Sequence, residues 1–117
     1  MVEKMQESHI DDNYLLDPEL DHTIEKKFEH CCEIINTKRK DQMFYIGITS
    51  DPKTRADDHI KNKNLSKMFL LCIAKNEDET KILERGLIKE FNSRYMLNDV
   101  NGGGGVQNSK NFIYLMV

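Results

Sequence analysis

Tryptophan is absent from this chain of 117 residues, proline occurs twice and cysteine three times. Two cysteines are adjacent (Cys31, Cys32), the third is distant (Cys72), and no CxxC spacing occurs. An odd, unspaced set speaks against both a disulfide framework and a zinc site, so the three read as reduced core residues. No run approaches the roughly 18 apolar residues of a membrane span, and the N-terminus lacks the basic-then-apolar order of a signal peptide. The expectation is one small domain inside the cell, in cytoplasm or nucleus, away from membranes, with a single modest core. Basic charge is scarce in one part only. Residues 1–25 carry eight acidic residues against one lysine, whereas residues 26–117 carry sixteen Lys and Arg against twelve Asp and Glu. The net charge of -3 therefore hides a mildly basic body, compatible with a polyanionic partner.

The chain divides into an acidic tail over 1–16, expected to be flexible, and one domain over 17–117. Asp17-Pro18 reads as an N-cap and first helical position, and Leu20, Ile24, Phe28, Cys31 and Ile35 follow helical spacing, which predicts a helix over 17–30. CCEII (31–35) fits either a continuation of that helix or a short strand. A basic turn TKRK (37–40) precedes a strand over 43–49. Ser50 or Asp51 then caps a helix over 52–61 with Pro52 in its first turn, and KMFLLCIA (67–74) reads as a central strand. Asn76 followed by Glu79 makes a capping-box-like start for a helix reaching about Asn92, with Leu83, Leu87, Ile88 and Phe91 on its buried side. The run NGGGG (101–105) leads to a terminal apolar segment, FIYLMV, within 106–117. That segment and the N-terminal helix offer apolar surface on which two copies would pair, so a homodimer or a partner protein is an open expectation.

The residues that carry chemistry cluster in MFYIGITSDPKTRADDH (43–59). Residues i and i+4 of a helix share a face, which puts Arg55 and His59 together, and Tyr45 lies on the strand that feeds this helix. A guanidinium neutralises phosphate bidentately; a histidine donates to phosphate oxygen or moves a proton near neutral pH; a phenol orients a water. Each also has a plainer reading, as a surface ion pair, a solvated side chain or a core cap. Glu84 interrupts the apolar face of its helix. It either sits at the face's edge, reaching water or Arg55, or is a single Mg2+ ligand, since Mg2+ keeps several waters and takes few protein carboxylates. Lys38, Arg39, Lys40 and Lys53 are the candidate phosphate-contacting cations, and Gly102, Gly103 and Gly104 would let backbone amides approach a ligand closely.

YIGITSDPKTRADDH resembles the second half of the GIY-YIG nuclease signature, including its Tyr-to-Arg spacing and the histidine one helical turn beyond. ERGLIKEFNSRYMLN (84–98) resembles the family's metal-binding Glu helix and the Asn after it. The resemblance covers about residues 30–105, with 31–105 as the nuclease-like core. It implies a small three-stranded antiparallel sheet flanked by helices, an α/β (α+β) domain here preceded by an N-terminal helical extension, and Mg2+- or Mn2+-dependent hydrolysis of DNA, branched and single-stranded forms included. Tyr45 would position or activate the attacking water, Arg55 would stabilise the pentavalent phosphate, His59 would assist it, Glu84 would hold the metal, and Asn98 would support the site. One element is missing. Members normally carry an earlier GIY strand whose tyrosine is the favoured base, and counting back from Tyr45 reaches Ile34, with no tyrosine near it. His30 and Glu33 are the titratable residues there, and Tyr14 is the nearest preceding tyrosine. Either the base role has passed to Tyr45 or His59, or the chain is a catalytically silent module that binds nucleic acid or regulates through its acidic segment.

Overall fold

The computed structural model describes residues 9–39, 42–63, 65–97 and 111–117. Strand β1 (Ile10–Asp11) is followed by helix α1 (Ile24–Arg39), strand β2 (Tyr45–Thr49), helix α2 (Pro52–Lys63), strand β3 (Met68–Ala74), helix α3 (Glu77–Phe91) and strand β4 (Asn111–Met116). One four-stranded sheet has the order β1-β3-β4-β2. Its β2, β4 and β3 form the expected antiparallel trio, and β1 adds a short parallel edge beside β3. The chain is thus an α+β domain of the anticipated class.

Local chemistry explains where each helix begins. Asp17 does not cap α1. Its carboxylate and carbonyl accept from the backbone amides of Glu19 and Leu20, a local turn that competes with the helix. The cap is Thr23, whose Oγ1 accepts from the Lys26 amide while its carbonyl accepts from Lys27. The helix expected over 17–30 therefore occupies Ile24–Arg39, and Leu20 lies outside it, 60% exposed. CCEII is helical, with Cys31, Ile34 and Ile35 buried. Asp51 caps α2, accepting from the Thr54 amide and hydroxyl. Asn76 caps α3 by accepting from the Glu79 amide at 2.8 Å. Glu79 in turn accepts from the Lys75 amide, so the box closes one residue earlier than the usual reciprocal bond.

The acidic N-terminal segment is only partly a tail. Residues 1–8 lie outside the described residues, but 9–16 are pinned to the sheet. The Met68 amide donates to the His9 carbonyl, the Leu16 amide donates to Leu71, and Tyr14 packs edge-on against Phe69. His30 reaches the Tyr14 carbonyl at 2.6 Å.

The sheet separates two apolar clusters because side chains alternate along its strands. Ile46, Ile48, Phe69, Leu71, Ile113 and Leu115 pack with α1 and α3. Met68, Leu70, Tyr114 and Met116 pack with Ala56 of α2, joined by Tyr45 and Ile60. The FIYLMV segment is consequently spent inside the fold: β4 is paired on both sides, and Ile113, Tyr114, Leu115 and Met116 are each at most 1% exposed. Phe112 and Val117 alone of this segment keep partial exposure. No helix of the described residues is long and apolar enough to cross a membrane.

Candidate functional site

On the α2 face of the sheet three rings converge. Tyr45 begins β2, His59 lies one turn beyond Arg55 on α2, and Tyr114 stands at the middle of β4. The His59 Nε2 and the Tyr114 hydroxyl are 2.7 Å apart in a buried hydrogen bond. Ring centroids of Tyr45 and His59 are 4.4 Å apart, and the two tyrosine rings stack at 6.2 Å with planes 23° apart. His59 is 4% and Tyr114 1% exposed, whereas Tyr45 and Arg55 are half-buried and so reachable from solvent. The spacing on α2 follows from helical geometry, and the register Gly47↔Tyr114 puts the phenol directly across from a residue with no side chain.

Gly47 is what allows the rings to close. A Cβ there would collide with the Tyr114 hydroxyl and come within 2.7 Å of a Tyr45 ring carbon. Gly47→Ala is expected to destabilise the fold by about 1–3 kcal/mol by overpacking, and to shift the His59 ring resonances in an NMR spectrum. A variant with wild-type stability and unshifted His59 signals would contradict this close packing.

Burial sets the charge state of one member of the cluster. It pushes the Tyr114 phenol well above its ordinary value; Tyr45 adds to the rise, Arg55 opposes it, and Glu84 contributes a further small rise. Tyr114 is therefore a neutral hydroxyl at physiological pH. With a proton on His59 Nδ1 it donates to Nε2, and in the other tautomer it accepts. Glu84, on α3, feels the same desolvation: burial raises its carboxyl, and Arg85 partly offsets the rise. Neither Arg55 nor Glu84 takes part in an ion pair among the described residues. A half-buried carboxylate with no ion pair among the described residues fits a single-ligand Mg2+ or Mn2+ position, where water and substrate oxygens supply the rest of the coordination. Among the described residues no three His, Cys, Asp or Glu gather into a multi-ligand metal site.

The remaining sequence candidates fall into three groups. Lys53 is exposed in the first turn of α2, on the same element as Arg55. Lys38 and Arg39 end α1 but fold back onto aromatic rings. Lys38 Nζ lies 4.4 Å from the Tyr14 ring centre, and the Arg39 guanidinium lies 5.6 Å from Phe44 and 5.5 Å from Phe91. Those phenylalanines belong to the α1 and α3 side of the sheet, opposite Tyr114. Lys40, Asn98, Gly102, Gly103 and Gly104 lie outside the described residues.

Tyr114 was missed in the sequence because FIYLMV reads as undifferentiated apolar chain. A polar ring in the middle of a strand-like run was the available signal, but its partner His59 is 55 residues away and only the sheet register joins them. The described residues also form an open pocket of about 210 Å³ beside the start of α1, lined by Asp17, Lys27, Cys72 and Lys75 among others, and none of the ring cluster borders it.

Comparison with known proteins yields one result. No curated protein and no solved structure gives a significant match. The profile of the GIY-YIG catalytic domain matches residues 30–98, more than half of the chain, and takes in Tyr45, Arg55, His59 and Glu84. The chain belongs to the GIY-YIG nuclease superfamily.

Proposed function

We propose that the protein is a divalent-metal-dependent endonuclease that hydrolyses phosphodiester bonds in DNA. The observation that carries this reading is the Tyr114–His59 hydrogen bond beside Tyr45, on the face from which Arg55 projects. A proton acceptor and a phosphate-binding cation on one helix, one turn apart, are what an in-line displacement at phosphorus needs.

The guanidinium of Arg55 takes the non-bridging oxygens of the scissile phosphate and holds the charge that grows on them. Tyr45, half-buried over the His59 ring, orients the attacking water. A phenol raised by burial is a poor base alone, so the proton moves through the pair: the water gives its proton to the Tyr114 oxygen as the Tyr114 proton passes to His59 Nε2. The new P–O bond forms as the P–O bond to the leaving oxygen breaks, the leaving oxygen takes a proton from solvent, and His59 returns its own to solvent. Glu84 would hold Mg2+ or Mn2+, which when bound supplies positive charge to the scissile phosphate and the leaving oxygen. Lys53 would contact a neighbouring phosphate, and Asn98 would support the site by hydrogen bonding. A catalytically silent module that binds nucleic acid is the second reading; the Tyr114 phenol at the histidine supports the nuclease over it.

A time course on supercoiled plasmid with Mg2+ or Mn2+ tests the proposal, with branched and single-stranded DNA alongside. Wild type is expected to nick or linearise DNA, with no cutting in EDTA and a loss of about 100-fold or more in Arg55→Ala. Equal cutting by wild type and Glu84→Ala would sink it.

A further inference from the structure

The family match ends at residue 98, yet the hydroxyl bonded to His59 comes from residue 114. The strand that carries it is no edge addition. β4 lies between β2 and β3, pairs with every residue of β2, and pairs with β3 along its whole length. In the β2 ladder Met116 stands opposite Tyr45, so the end of β4 and the start of β2 meet where a tight hairpin turn would join them. The chain makes no such turn. It enters β2 from α1 and reaches β4 only after α3.

We infer that this domain is rearranged in connectivity and unchanged in space: β4, last in the chain, is the strand that would stand directly ahead of β2 in an unrearranged order, and Tyr114 is the tyrosine whose absence near Ile34 the sequence shows. α1 occupies the chain position that the strand has left; its buried residues Cys31, Ile34 and Ile35 pack on the opposite face of the sheet from Tyr114, so it brings no group to the site. The site is complete only when the final strand has inserted between β2 and β3. The role of Tyr114 in cleavage rests on the nuclease reading above; the strand placement does not.

The test returns the strand to the place its register marks. In the transplanted chain, residues 1–39 run through a flexible linker to residues 110–117, an Asn-Gly turn joins Val117 to Phe44, and the chain continues to residue 98. The linker must span the length of β4, about 20 Å at roughly 3.3 Å per residue, so about eight Gly and Ser residues suffice. Tyr114→Phe is made in both the natural and the transplanted chain. The transplanted chain is expected to unfold cooperatively and to show His59 ring nitrogen resonances matching those of the natural chain, with Tyr114→Phe shifting them equally in both connectivities. Where the natural chain cuts DNA, the transplanted chain should cut within about threefold of it, and Tyr114→Phe should lower both by about 100-fold.

A transplanted chain that folds with different His59 resonances, or one that fails to fold, overturns the strand assignment. In the natural chain, a Tyr114→Phe variant that leaves the His59 resonances unmoved overturns the pairing without recourse to the transplant. If neither connectivity cuts any DNA while the resonances agree, the nuclease reading falls and the inference about the strand stands.

Discussion

Glu84→Gln is expected to abolish DNA cleavage, by about 100-fold or more, in a protein that melts at or slightly above the wild-type temperature when metal is absent. The two effects have one cause. Desolvation raises the Glu84 carboxyl on folding, so the folded state binds its proton more tightly than the unfolded chain does. For a carboxyl raised in this way, the favourable contribution is fully present below the unfolded value near 4.5 and is lost as pH rises through the folded value. At neutral pH the ionised group is thus a penalty that glutamine removes, reduced here by the group's partial exposure to water. The stability difference should vanish near pH 4, where wild type is protonated. Added Mg2+ should raise the wild-type melting temperature and leave the variant unmoved, because only a state that binds the ion gains from it. A variant that melts lower than wild type in EDTA at pH 7.5 would show that Glu84 holds the fold together and is not kept for a ligand.

Glu79→Ala should be the most damaging single change away from the ring cluster. Glu79 and Lys27 form an ion pair in which each residue is 6% exposed, tying the first turn of α3 to α1. The same carboxylate accepts from the Lys75 amide, and Thr80 beside it donates its hydroxyl to the Asn76 carbonyl. Removing Glu79 leaves the Lys27 ammonium buried without its anion and the Lys75 amide without its carboxylate acceptor, a loss of about 3–5 kcal/mol. For a domain of this size that lowers the melting temperature by roughly 10–20 °C. A Lys27→Met, Glu79→Leu double variant should recover much of the loss, since a well-packed apolar pair replaces a buried ionic one at little cost. Chemical denaturation of the three variants measures this directly. A single variant within 1 kcal/mol of wild type, on the scale of exposed pairs, would mean that the bridge is solvated in solution.

Much of the architecture could be read along the chain. β3 and α3 were legible because MFLLCIA is too apolar to be exposed and because Asn76 with Glu79 is a cap whose hydrogen bond forms locally. The start of α1 was misplaced for a similar local reason: Asp17 and Thr23 both offer cap chemistry, and Asp17 spends its carboxylate on a turn with Glu19. The edge strand β1 escaped notice, since two residues carry no periodicity and their pairing partner, Met68, is far along the chain. Lys38 and Arg39 show what a basic run leaves out: only the fold lays their cations over Tyr14, Phe44 and Phe91.

By itself the sequence determined the family, the helix that presents Arg55 and His59 on one face, and the carboxylate on α3, because each of these depends on residues a few positions apart. Only the tertiary structure decided where the second tyrosine is. Tyr114 meets His59 across 55 residues of chain, through a strand register and a glycine that clears space for its ring, and no local pattern encodes a contact of that kind.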